Sequence, residues 1–190
     1  SIGGGGGLLG AVDGNVTAGS TSSLLSDTRG GNITATSDAP ITTAGISSPG
    51  FTIQSIGGGG ALIGSSPTSV SVGGSGLGDS RSGAINFVNT GDIVTTGLNS
   101  SGVIPQSIAG SGLYTTSAGG NAINLGGSVI GNNNSSGITF NNSGSVTTGG
   151  SNSAAVVVQS IGGGGGAVFG VVDATATAIT LGGQDATDNQ

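Results

Sequence analysis

The chain has 190 residues, of which 44 are glycine, and it carries only two basic and eight acidic side chains, for a net charge of −6. So little positive charge excludes an electrostatic footprint for nucleic acid or anionic lipid. The absence of cysteine excludes disulfides and thiolate metal sites, and no apolar run approaches the roughly 18 residues of a bilayer-spanning helix.

In chain order, each stretch opens on Ser-Ile and a glycine run. SIGGGG stands at Ser1, Ser55 and Ser160, with a degenerate SIAGSG at Ser107, so the starts lie 54, 52 and 53 residues apart. Repetition at a fixed period is the mark of a repeat architecture. The chain divides into units 1–54, 55–106 and 107–159 and a partial unit 160–190, read together as one repetitive domain. No signal peptide is present and Ser1 falls inside the motif, so the chain reads as a segment of a longer protein.

After each glycine run comes a short strip in which aliphatic and small residues alternate. These strips are NVTAGS from Asn15, SVSVGG from Ser69, NAINLGG from Asn121 and TAITLGG from Thr177. Further on, ITATSDAPITTAGISSPGFTIQSI (33–56), INFVNTGDIVTTGLNSSGVIPQSI (85–108) and ITFNNSGSVTTGGSNSAAVVVQSI (138–161) align without a gap. Aliphatics coincide at Ile33, Ile85 and Ile138, at Ile41, Ile93 and Val146, and at Ile56, Ile108 and Ile161. Glycines coincide at Gly45, Gly97 and Gly150, and Gln54, Gln106 and Gln159 precede every Ser-Ile pair. The period inside the strips is two, which predicts strands with one buried face. Asn-Thr-Gly, Asn-Ser-Gly and Gly-Gly supply the turns between them.

The predicted fold is therefore all-β, a parallel β-helix or β-solenoid of about 53-residue repeats with four or five short strands per unit and no substantial helix. One unit has too few large side chains to close a core, so neighbouring units must stack. Coils of about 18 to 26 residues place two or three coils in each unit and make a rod of about 35 to 50 Å. The predicted core is Ile33, Ile41, Ile56, Ile85, Ile93, Ile108, Ile138, Val146 and Ile161, with Gly45, Gly97 and Gly150 at turns or close backbone contacts.

The 44 glycines limit where they can sit. In regular strand interiors they would cost on the order of 20 to 40 kcal/mol relative to alanine, more than a domain's whole stability of about 5 to 15 kcal/mol. Most must lie at corners or where two backbones approach too closely for a Cβ. Pro105 falls where the other units have Ile53 and Val158, so its coil should be weakened or bulged.

The run from the Asn-x-Gly turn to the glycines, NTGDIVTTGLNSSGVIPQSI and NSGSVTTGGSNSAAVVVQSIGGGGG, is similar to a repeat of very large bacterial autotransporter passengers. The resemblance covers nearly the whole chain. It implies a Gram-negative cell-surface or secreted protein exported through a C-terminal outer-membrane β-barrel. The passenger would be a β-helix serving as fibre, support or adhesin, and its partners would be neighbouring repeats, other copies in a fibre, or a glycan or host surface.

Catalytic and cofactor readings find little to stand on. Without histidine, lysine, cysteine or glutamate, acid–base chemistry rests on scattered aspartates and Tyr114. No enzyme activity, catalytic residue or cofactor is expected. SIGGGGG lacks the following helix and lysine of a phosphate loop. GGSGLGD, ending at Asp79, resembles a calcium nonapeptide with one residue too many before the aspartate. Asp79 is thus a weak calcium candidate, and a polar turn is the plainer reading. The threonines of ITTAG, IVTTG and SVTTG suggest an outward hydroxyl ladder.

Overall fold

A computed structural model describes residues 1, 3, 5–11, 15–18, 27–65, 69–72, 79–110, 112–115, 122–125, 132–163, 165–168 and 178–181, with side-chain surroundings over 27–59, 79–110 and 132–163. Among them are strands, turns and bends but no helix. Strands are β1 (Gly5–Ala11), β2 (Asn15–Ala18), β3 (Thr28–Arg29), β4 (Ile33–Ser37), β5 (Ile41–Thr43) and β6 (Phe51–Ile56). The same six recur as β7 (Gly59–Ser65), β8 (Ser69–Val72), β9 (Ser80–Arg81), β10 (Ile85–Asn89), β11 (Ile93–Thr95) and β12 (Val103–Ile108). They recur again as β13 (Gly112–Thr115), β14 (Ala122–Leu125), β15 (Asn133–Asn134), β16 (Ile138–Asn142), β17 (Val146–Thr148) and β18 (Gln159–Ile161). β19 (Gly165–Val168) and β20 (Ala178–Leu181) begin a fourth round.

Every sheet joins a strand to its counterparts in neighbouring units, in parallel. The orders are β1-β7-β13-β19, β2-β8-β14-β20, β15-β9-β3, β16-β10-β4, β17-β11-β5 and β18-β12-β6. Ile85 pairs with Ile33 and Ile138, Ile93 with Ile41 and Val146, and Ile108 with Ile56 and Ile161. This is a parallel β-solenoid, and like residues lie over like because the register is one repeat.

The coil length departs from expectation. One unit forms a single six-strand layer, not two or three coils. Each layer rises by about 4.8 Å, so the first and last strands of a four-strand stack lie only about 14 Å apart, not 35 to 50 Å. The reason is that two halves of each unit lie side by side in one layer. Near Gly57 the outgoing chain passes so close to the returning chain that a Cβ there would come within 2.8 Å of the Arg81 backbone nitrogen.

The core of the described residues lies in the half made by β4–β6 and their counterparts. Ile53, Ile85, Phe87, Ile93 and Val103 are buried together, and Ile33, Ala35, Phe51, Ile138, Phe140 and Val146 pack against them. Phe87 stacks on Phe140 at 5.4 Å and meets Phe51 edge-on at 5.0 Å. Strand β10 alternates buried and exposed residues, as a one-sided wall does. Strand β12 is buried along its whole length, so it is a wall shared by both halves of the coil. Its Val103 faces the aromatic cluster, while Ile104 and Ile108 are fully buried on the opposite face, the side from which β19 approaches. Ile56 and Ile161 share that face, so the Ile56/Ile108/Ile161 column is separate from the Ile85 and Ile93 columns.

The stacked rings make Phe87 the largest fully buried side chain of the described residues. Phe87→Ala should lower stability by about 3 to 5 kcal/mol, whereas exposed Thr42→Ala should stay within about 0.5 kcal/mol. Urea melts of the two variants check this; comparable losses would refute the core assignment.

Candidate functional site

The chemistry of this molecule lies in columns of polar groups running along the stack, beginning at the glycine-lined neck. Ser55 Oγ donates to Gly31 O at 2.9 Å and accepts from Gly83 N–H at 2.8 Å. Ser107 Oγ bonds Gly83 O at 3.1 Å and accepts from Ser136 N–H at 3.2 Å. Ser160 Oγ donates to Ser136 O at 2.9 Å. The serine of each Gln-Ser-Ile thus closes its own 24-residue half-coil, and Ser55 and Ser107 also tie it to the next layer. Opposite Ser55 stands Gly30, where a Cβ would fall 2.6 Å from Ser55 Oγ; in the second unit Ser82 takes that place and its hydroxyl meets Ser107 Oγ at 2.8 Å.

The glutamines beside these serines form an amide ladder. Gln54 Nε2 donates to Gln106 Oε1 at 2.7 Å, and Gln106 Nε2 donates to Gln159 Oε1 at 2.5 Å. Gln106 is fully buried, and a buried amide needs partners. The axial neighbours supply them because their amides repeat at strand spacing. Asn89 Nδ2 donates to Asn142 Oδ1 at 2.7 Å in a second, shorter ladder.

A third column forms the corner between β5 and β6. Ser47, Asn99 and Asn152 take left-handed φ values of 57°, 56° and 55°. Thr43 Oγ1 and Thr148 Oγ1 donate to the carbonyls of Ser48 and Ser153 at 2.6 and 2.9 Å, and Thr95 does the same to Ser100. Ser48 N–H donates to Ser100 Oγ at 2.9 Å, and Ser100 N–H to Ser153 Oγ at 2.8 Å. Gly45, Gly97 and Gly150 start this corner. A Cβ on Gly97 would strike the Gly45 carbonyl, and one on Gly150 the Gly97 carbonyl.

The hydroxyl ladder suggested by the threonines is broken. Thr43, Thr95 and Thr148 turn inward to serve the corner, and the outward column reads Thr42, Val94, Thr147. Beside it, on the face of β4, β10 and β16, lies an open groove of about 480 Å³ lined by Asn32, Thr34, Asn86, Thr139 and Asn141 among others.

Three of the four described aspartates, Asp27, Asp79 and Asp92, are engaged by the stack. Asp27 Oδ1 accepts from Asp79 N–H at 3.1 Å, and Asp79 Oδ1 accepts from Asn132 N–H at 3.0 Å. Arg29 and Arg81 pair with the same two carboxylates at 2.8 and 2.5 Å. Asp92 Oδ1 takes both the N–H and the hydroxyl of Ser145, at 2.8 and 2.7 Å. The Arg29 bond and then the Asp79 amide hold Asp27 below the usual carboxylate range; the Asn132 amide and then Arg81 do so for Asp79. The Ser145 amide and hydroxyl do so for Asp92. Such groups stay ionised near neutrality and are poorly suited as general acids.

Among the described residues no three His, Cys, Asp or Glu side chains gather as a metal-ligand group. Asp79 is an ion-pair partner of Arg81, while residues 73–78 of its calcium-like motif lie outside the described residues. Tyr114 lies on β13, in register with Leu62 and Ala167. Sequence reasoning found the isoleucine, glutamine and glycine columns. It missed the Ser55, Ser107 and Ser160 clasps and the inward threonines, although both recur at the repeat spacing.

Comparison with protein-family models, curated proteins and solved structures finds no match to this chain.

Two outcomes test these columns. A carboxylate with a depressed folded pKa stabilises the fold above its unfolded pKa, and that contribution is lost as pH falls through the folded value. The melting temperature should therefore not be lowered by carboxylate protonation between pH 8 and 5, and should drop below about pH 4. A melt that rises in acid would contradict these contacts. Separately, Ser47→Asn places at the first corner the residue type that units two and three use there. Asparagine tolerates left-handed φ better, so the variant should gain about 0.5 kcal/mol in a denaturant melt.

Proposed function

We propose that this chain is a structural β-solenoid segment of a bacterial cell-surface or extracellular fibre, of the autotransporter-passenger kind, with no catalytic activity of its own. One observation carries the reading: backbone and side-chain ladders run along the axis through every described layer. Load applied between neighbouring layers is then shared by many parallel bonds, each worth about 0.5 to 1.5 kcal/mol net. The chemistry-bearing side chains are spent on this stacking. Thr95 closes a corner, Ser107 a neck, Gln106 an amide ladder and Asp92 an interlayer cap.

An adhesin reading has one observation in its favour, the uncharged groove along Asn32, Thr34, Asn86, Thr139 and Asn141. Its lining holds hydroxyls and amides suited to sugar hydroxyls but no aromatic ring on which a sugar could stack.

Single-molecule pulling from the two ends, together with a glycan array, separates the readings. A support should unravel layer by layer, each step releasing about 53 residues and thus roughly 180 Å of chain, and should show no saturable glycan binding. Saturable binding abolished by Asn86→Ala would favour the adhesin. Stretching at low force without steps would overturn the load-bearing reading.

A further inference from the structure

We propose that Pro105 makes a built-in yield point: the layer junction between β12 and β18 opens before the other described junctions of the stack. The argument starts from the direction of backbone donors. In a parallel ladder, alternate residues of one strand direct their donors to the same neighbour. Val103 N–H donates to Ala155 O at 3.0 Å and Ala109 N–H to Ile161 O at 2.9 Å, both in the third unit. Pro105 has the same parity, so the donor that proline lacks is one owed to the third unit. The missing bond faces Val157 O.

The pairing follows this asymmetry. Toward the first unit β12 runs through Pro105 without a bulge, in register over six residues from Val103↔Phe51 to Ile108↔Ile56. Toward the third unit it pairs only at Gln106–Ile108, plus an isolated bridge at Val103↔Val156. The other two walls of this half-coil show no such difference. β10 pairs over five residues on both sides, and β11 over three on both sides.

Side chains separate with the backbone. Ile53, Pro105 and Val158 are one column, and Ile53 and Val158 belong to the two outer layers of this wall. Ile53, on a strand whose outer edge is bonded by Ser1 and Gly3, is 9% exposed, and Val158 is 51% exposed. In the neighbouring column Val156 is 39% exposed and Phe51, of the other outer layer, is half-buried. A proline in the central strand of a sheet is rare; here it lies four residues before Ala109, which replaces the neck glycine Gly57 of the preceding unit. Both departures fall at one junction. The mechanical consequence rests on the load-bearing reading; the local opening does not.

Amide hydrogen exchange on the 190-residue chain reads local opening directly. In the unmodified protein, Val156–Ile161 should exchange roughly tenfold faster than Phe51–Ile56 after correction for intrinsic rates. Pro105→Val restores the donor and carries the residue type of Val158. It should slow exchange over Val156–Ile161 by roughly three- to tenfold, the worth of about one hydrogen bond, and leave Ile85–Thr95 unchanged. Ile53→Pro should transfer the effect, speeding exchange at the β6–β12 junction. Equal protection of the two segments in the unmodified protein, or no slowing in a folded Pro105→Val, overturns the proposal. If exchange behaves as expected but stepwise unravelling begins at another junction, the yield point is overturned and the local opening stands; stretching without steps overturns the load-bearing reading instead.

Discussion

Everything in this molecule depends on parallel pairing at a separation of one repeat. That register puts isoleucine on isoleucine, phenylalanine on phenylalanine and glutamine on glutamine. A slip of one residue would turn each inward side chain outward, strand Gln106 without its two axial amides and move Phe87 from between Phe51 and Phe140. The ladder is thus cooperative in kind as well as in number. Backbone bonds set the spacing, and the spacing makes identical side chains the best neighbours for one another.

Glycine answers a geometric demand created by that stacking. A layer that pinches into two halves brings two backbones together at the neck, where Gly57 passes Arg81 and Gly30 passes Ser55. A layer that turns a tight corner brings Gly97 onto the Gly45 carbonyl below. The corner has no room for a Cβ in any of the three units, while the neck gives way in places to the small side chains Ser82 and Ala109. The serine hydroxyls of the Gln-Ser-Ile motif fit beside the neck and satisfy backbone groups that the pinch would otherwise leave unpaired. The composition that looked unsuited to a folded protein is what a two-lobed layer requires.

The same economy governs the polar residues. Among the described residues, few side chains are left to act on anything outside the stack. Hydroxyls turn inward at the corners and carboxylates cap the amides of the next layer, which keeps them ionised. A shallow groove on the β10 wall gathers open amides and hydroxyls in one place. Outward positions change character between units, as Asn86 for Thr34, while inward columns stay apolar even where Ala35 stands for Phe87 or Pro105 for Ile53.

Much of this was legible from residues alone. Alternation in INFVN and ITFNN required strands, the ungapped 24-residue frame named the aliphatic columns, and Pro105 marked a missing ladder donor. Those signals are local, or repeat at one period, and hydrophobic burial reads them directly. Three things waited for the tertiary structure. Coil length was one, because a 53-residue period fits either two stacked turns or one pinched layer, and the pairing of every strand with its counterpart one whole repeat away decides it. The side of the β12 wall on which Ile108 sits was another, since both faces of that strand are buried and alternation no longer tells them apart. The last was which neighbour loses the Pro105 bond. Donor direction depends on strand pairing, and pairing exists only once the layers are stacked.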